Sequence, residues 1–332
     1  MALLLAGCGG AGHVAPRDPR SPARAATTAH VTVVIAPPAV RPLRALVTAQ
    51  TQDRLLVTTV PGGRVVRTVT IPGGPSYVDA TNRVIVVVST GSGTVTLLDR
   101  RTLGVIKVFR GFSSPHIPAI SPDGRYAYVT DDGSGELSVI GLYDDRLLSR
   151  VFVGAGAHHL AFSPDERSVW VALGQSAQTL TVLSTATLGR PRVIGHIEPP
   201  FLAHDLLFTP GGDVAWVTSA NTDYVGVFDV QTGRLLYRIP AGPPPQHLAF
   251  SDGYAYITSG YGSSIERVEL DSGAVLRRVY APYGSFDLDA AGGYVVTASL
   301  LRGTLAIYND QLRLLRVAAL APSTEDVALS AP

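Results

Sequence analysis

Ala157-His158-His159-Leu160-Ala161-Phe162-Ser163-Pro164-Asp165 decides how this chain is read, because the chain repeats it. Ala203-His204-Asp205-Leu206-Leu207-Phe208-Thr209-Pro210-Gly211 has the same build. So do Pro115-His116-Ile117-Pro118-Ala119-Ile120-Ser121-Pro122-Asp123-Gly124 and Pro245-Gln246-His247-Leu248-Ala249-Phe250-Ser251-Asp252-Gly253. Fainter copies begin at Pro75-Ser76-Tyr77-Val78, Ser285-Phe286-Asp287-Leu288 and Glu325-Asp326-Val327-Ala328. Aligned on one residue, the copies stand at positions 76, 116, 158, 204, 246, 286 and 325, in steps of 40, 42, 46, 42, 40 and 39 residues. A period of this length marks a repeat architecture in which each unit buries its apolar faces against its neighbours.

Each unit reads as four short strands. The first is the copy itself. It runs into a Pro-Asp-Gly type of turn, where proline fixes φ and glycine accepts a positive one. The second is Tyr126-Ala127-Tyr128-Val129-Thr130, echoed at 168–172, 214–218 and 254–258, with the β-branched and aromatic residues that pleated sheets favour. The third includes Tyr224-Val225-Gly226-Val227-Phe228, and the fourth Gly233-Arg234-Leu235-Leu236-Tyr237-Arg238-Ile239. Four strands per period predict the blade of a propeller. Six complete units start near 75, 115, 157, 203, 245 and 284. Residues 43–73 supply only strands two to four of another, and Thr324 to Ser330 is the missing first strand. The expectation is an all-β, seven-bladed β-propeller of four-stranded antiparallel blades over 43–330, its ring closed by the C-terminal strand joining the N-terminal blade.

Composition narrows the function classes. With 46% hydrophobic and 16% charged residues, the chain is no disordered polymer. Its 27 basic residues against 26 acidic leave a net charge of +1, which argues against nucleic acid as partner. The single cysteine, Cys8, closes Leu5-Ala6-Gly7-Cys8, which resembles a bacterial lipobox. Residues 1–8 thus read as a truncated-looking lipoprotein leader with Cys8 as the lipidation site. The Pro/Ala/Arg-rich stretch 9–42 reads as a flexible tether and lead-in. That predicts an exported monomer, anchored through its lipid to the outer face of the cytoplasmic membrane or the cell envelope.

The alignment also predicts a site. Innermost strands of propeller blades begin at one mouth of the central channel. At that point successive units carry Ser76-Tyr77, His116-Ile117, His158-His159, His204-Asp205, Gln246-His247, Phe286-Asp287 and Glu325-Asp326. Five of the eight histidines fall here. Alternation along a strand places His116, His158, His204, Gln246 and Glu325 in one phase and His159, Asp205, His247, Asp287 and Asp326 in the other, so that His158 and His159 face opposite ways. Imidazoles and carboxylates so gathered are suited to a divalent metal such as Zn, Fe or Mn, or to a polar small ligand. The competing reading is structural: these side chains bond backbone groups between blades. Asp131-Asp132 and Asp144-Asp145 read as turn acids, and Gly91-Ser92-Gly93 as a hairpin turn rather than a phosphate cradle.

Tyr128-Val129-Thr130-Asp131, preceded by Ser121-Pro122-Asp123-Gly124-Arg125, resembles the YVTN-type β-propeller repeats; Val139-Ile140 and Val227-Phe228-Asp229 stand where that repeat has its Val-Ile-Asp strand end. It departs at Asp131, where the repeat has Asn, and at Trp170 and Trp216, where it has Tyr. The resemblance implies a seven-bladed propeller, often extracytoplasmic. It is similar in form to surface-layer proteins, sugar-lactone hydrolases and antibiotic-inactivating lyases. No complete catalytic set is legible. The expected function is therefore a binding or scaffold protein that takes a cell-envelope protein, glycan or small molecule at the channel mouth. The alternative is a lactonase-like or metal-dependent hydrolase or lyase using the His/Asp ring. A redox accessory protein would need a haem or quinone, and with Cys8 as the only thiol this sequence has no c-type attachment motif.

Overall fold

The computed structural model describes residues 43–330. The leader with Cys8 and the stretch 9–42 lie outside the described residues. The described residues form 28 strands arranged as seven four-stranded antiparallel sheets. Six sheets take their strands in chain order. The remaining one has the order Thr324–Ser330, Leu43–Ala49, Arg54–Val60, Val65–Thr70, so the C-terminal strand completes the N-terminal blade. This composite sheet is blade 1; blades 2 to 7 begin with innermost strands Tyr77–Ala80, Pro115–Ile120, Leu160–Phe162, Ala203–Phe208, Leu248–Ser251 and Ser285–Ala291.

The core shows why a ring forms. Its buried apolar residues fall into seven clusters, each shared by two consecutive blades. Trp170 of blade 4 meets Phe208 of blade 5 edge to face, at 5.1 Å between centroids. The cluster that closes the circle joins Val296 and Ile307 of blade 7 to Val47, Leu56 and Val327 of blade 1. Each fully buried side chain of this kind is worth about 1.5–3 kcal/mol relative to exposure, and an open chain of blades would leave two such faces wet. Trp170, Trp216, Tyr128 and Tyr256 occupy one equivalent position of the second strand and are all fully buried. The Tyr128 hydroxyl donates to the Leu188 carbonyl of blade 4, and that of Tyr256 to the Asp310 carbonyl of blade 7 at 2.8 Å.

Turns follow the sequence reading. Gly93 ends the short 3-10 turn Thr90–Ser92 with φ of 61°, and a Cβ there would lie 2.3 Å from the Phe112 carbonyl oxygen. Gly91-Ser92-Gly93 is thus a turn between two strands. Asp131 is a turn acid as expected, since its carboxylate accepts the backbone N–H groups of Ser113, Ser114, Gly133 and Ser134.

Candidate functional site

The channel mouth is built by a defect repeated around the ring. In blade 5, Ala203 pairs with Ser219 and Leu206 with Val217, so three steps on the inner strand meet two on its neighbour. Blades 3, 7 and 1 have the same bulge, spanning 115–118, 285–288 and 324–327. A bulge leaves an extra residue unpaired and turns the strand. In blades 4 and 6 the ladder starts only at Leu160 and Leu248, after the imidazole-bearing residues. In four blades the threonine of the second strand ties this stretch to the next blade. Thr218 Oγ1 accepts the Asp205 N–H at 2.9 Å and donates to the Gln246 carbonyl of the next blade at 2.7 Å. Thr48, Thr130 and Thr258 make the equivalent pair of bonds.

This geometry corrects the strict alternation predicted from sequence. His158 and His159 do not face opposite ways. Their ring centroids are 4.8 Å apart, and both line one cavity of about 280 Å³ at the mouth, together with His116, His204 and His247. The period of two holds only within a regular ladder, and here the ladder is bulged in blades 1, 3, 5 and 7 and begins only after the imidazoles in blades 4 and 6. Tyr77, Tyr261 and Phe286 add flat faces to the cavity wall. His159, His247 and Asp287 also line a second cavity of about 410 Å³ toward the opposite end, so they separate the two spaces.

The structure divides the candidate residues by role. Asp205 and Asp326 are blade staples. Asp205 Oδ2 accepts the Leu248 N–H of blade 6 at 2.9 Å, and Asp326 Oδ2 accepts the Val78 N–H of blade 2 at 2.7 Å. For these two the structural reading holds. Asp79 and Asp289, two residues further along equivalent strands, do the same to Ile120 and Leu329. The imidazoles make no such backbone bonds. His247 Nδ1 lies 2.7 Å from Asp287 Oδ1, and His159 Nδ1 lies 3.3 Å from Asp205 Oδ1. His158 Nδ1 lies 3.0 Å from Asp132 Oδ2, which corrects the reading of Asp132 as a mere turn acid. His204 Nδ1 is buried without a hydrogen-bond partner. His116 stacks on His158, 3.9 Å between centroids and 21° between planes.

Burial sets the charge of the site. It pushes His116, His159 and His204 well below the ordinary imidazole range, and the like charge each would feel from the others pushes the same way. His247 is also lowered by burial, against the pull of Asp205 and Asp326. Burial thus favours the neutral form of these four imidazoles, which keeps a lone pair for a ligand. Burial first, then neighbouring carboxylates, lifts Asp287 and Asp326 well above the usual range and Glu325 to about 8. Gln246 donates nothing to the imidazoles; its side-chain oxygen accepts the Gly260 N–H at 2.7 Å.

Comparison with known proteins bears on what such a cluster holds. Residues 79–198 match the family described as the Cytochrome D1 heme domain. The dihydro-heme d1 dehydrogenase of Pseudomonas aeruginosa is 28% identical over 222 residues, which are 62% of this chain and 43% of that protein. The chain thus spans less than half the length of this curated relative. Among solved structures, a functionally unknown protein from Desulfotomaculum acetoxidans superposes with a TM-score of 0.76 at 15% identity, over 87% of this chain and 99% of that one. Kuenenia stuttgartiensis hydrazine synthase gives 0.68 at 17%, over 80% and 91%. Dihydro-heme d1 dehydrogenase NirN in complex with DHE gives 0.60 at 16%, over 86% and 74%. At these identities the structures establish the shared fold alone.

Proposed function

We propose that this protein binds an iron tetrapyrrole of the d1-haem class, without a covalent bond, at the channel mouth. The observation that carries the reading is the convergence of five imidazoles on one aromatic-walled cavity, in a chain that matches a d1-haem domain over 79–198. That matched stretch contains His116, His158 and His159. Imidazole nitrogen is a common axial ligand of haem iron. His158 is the residue assigned to that position. Asp132 engages its Nδ1 and orients the ring, which leaves Nε2 as the donor. Tyr77, Tyr261 and Phe286 supply surfaces against which a flat macrocycle packs. The cavity lies near the lower bound of about 300 Å³ for small-molecule pockets, so the surrounding loops would share in holding so large a ligand. When bound, the group would supply an iron centre with its own redox chemistry.

The role proposed is binding of the pigment, for carriage or hand-over. The lipobox-like Leu5-Ala6-Gly7-Cys8 and the YVTN-like Tyr128-Val129-Thr130-Asp131 support an exported, lipid-anchored placement for this task. The test is an absorption titration of the purified protein with ferric d1 haem. A saturable change of the Soret band at one equivalent per chain is expected, and His158→Ala should alter the ligation spectrum. No saturable change, or an identical spectrum in the variant, would overturn the reading.

A further inference from the structure

We infer that His159, His204 and His247, within the same channel-mouth cavity, bind a single divalent transition metal ion directly when no tetrapyrrole occupies it. One nitrogen of each imidazole lies within 4.8 Å of the others. The ring centroids form a triangle of 5.0, 4.6 and 5.2 Å, with planes inclined by 45°, 69° and 89°. Three imidazoles on one ion, with metal–nitrogen bonds of about 2.0–2.1 Å, place their ring centres about 5 Å apart. The centres already stand at that separation, so drawing the nitrogens together takes rotation of the rings about their Cβ–Cγ bonds. His116 and His158 are arranged otherwise. Their rings stack at 21°, and although with His159 they also bring nitrogens within 4.8 Å of one another, His158 is already engaged at Nδ1 by Asp132.

The surroundings of the triad point the same way. Asp287 Oδ1 and Asp205 Oδ1 lie 2.7 and 3.3 Å from the Nδ1 atoms of His247 and His159, close enough for small ring rotations to bring them into hydrogen bonds. That is the carboxylate–histidine arrangement that fixes a ligating tautomer and frees Nε2 for the metal. His204 contributes the buried Nδ1, for which the described residues provide no hydrogen-bond partner. The donor set of neutral imidazoles selects ions of borderline softness, such as Zn, Co or Ni, over Mg or Ca. His159 and His247 border both cavities, so the triad is open to a small molecule from either space. Three protein ligands with one open position is the pattern of metal sites that bind or activate a small molecule.

The experiment uses tag-free protein, stripped with chelator and titrated with Co(II), the metal alone, with no tetrapyrrole present. One equivalent should bind per chain and give the visible d–d bands of nitrogen-ligated Co(II). His159→Ala and His247→Ala should each weaken binding more than 100-fold. Asp287→Asn should weaken it by about 10–100-fold through the loss of ring orientation. His158→Ala and Asp132→Asn should leave Co(II) binding unchanged, which separates this site from the proposed haem ligand. His204→Gln, with circular dichroism as the check on folding, serves if an alanine variant does not fold. Absence of stoichiometric binding overturns the inference. So does binding that survives His159→Ala and His247→Ala in folded protein, or that depends on His158 instead.

Discussion

Glu325 shows how burial and neighbours decide the charge of one side chain. Hydrogen bonds from Tyr77 and Ser76 favour its ionised form, yet burial, Asp287 and Asp326 outweigh them and lift the carboxyl to about 8. Its Oε2 is buried without a partner, as suits a protonated acid. An acid whose pKa rises on folding binds its proton more tightly in the native state. It therefore adds stability below its unfolded value of 4.5, and that stability is lost as pH rises toward 8. Asp289, lifted to about 6 mainly by burial, acts in the same sense over a lower window. Relative to Glu325→Gln, the urea midpoint of the wild-type protein at about pH 5, 7 and 9 should thus lose ground as pH rises toward 8, while the buried neutral imidazoles, common to both proteins, act in the opposite sense between pH 5 and 7. Equal slopes in the two proteins would contradict this assignment. The identity of such residues was readable, because the alignment of copies puts Glu325 beside His116 and His204. The partners were not. Asp132 lies in a turn outside the repeated pattern, where an acid that caps a loop and one that orients an imidazole look alike in one dimension.

The bulged inner strand, with the threonine that pins it, is the element that makes the site. Thr218 satisfies the Asp205 N–H of its own blade and the Gln246 carbonyl of the next. Thr218→Val keeps the shape and removes both bonds, leaving a buried amide and a buried carbonyl unpaired. A loss of about 1–3 kcal/mol in denaturant unfolding is expected. An unchanged midpoint would mean that the bulge is held by other contacts. The four strands of each blade were legible because alternation, turn residues and the repeat agreed. The predicted run Thr324 to Ser330 matches the observed strand from end to end. The bulge was not legible. An extra residue leaves no mark in an apolar/polar pattern where both of its residues are polar, as in His204-Asp205.

Closure of the ring follows from the same logic at larger range: a head lacking its first strand and a tail that is one. Seven shared apolar clusters then leave no joint open among the described residues. What repeat arithmetic could not supply is the ligand, because a circle of imidazoles serves metal, tetrapyrrole or hydrogen bonding equally well on paper. Burial, the sorting of aspartates into staples and imidazole partners, and the d1-haem match together narrow it. The most direct check is a long-range ¹H–¹⁵N spectrum of the histidine side chains, recorded before and after addition of ferric d1 haem. His196, on the outer strand Arg192–Ile197, is the internal control. Resonances of His116, His158, His159, His204 and His247 should broaden or shift while that of His196 stays in place. Channel resonances that do not move, or a response spread evenly over His196 as well, would contradict a ligand site at the channel mouth.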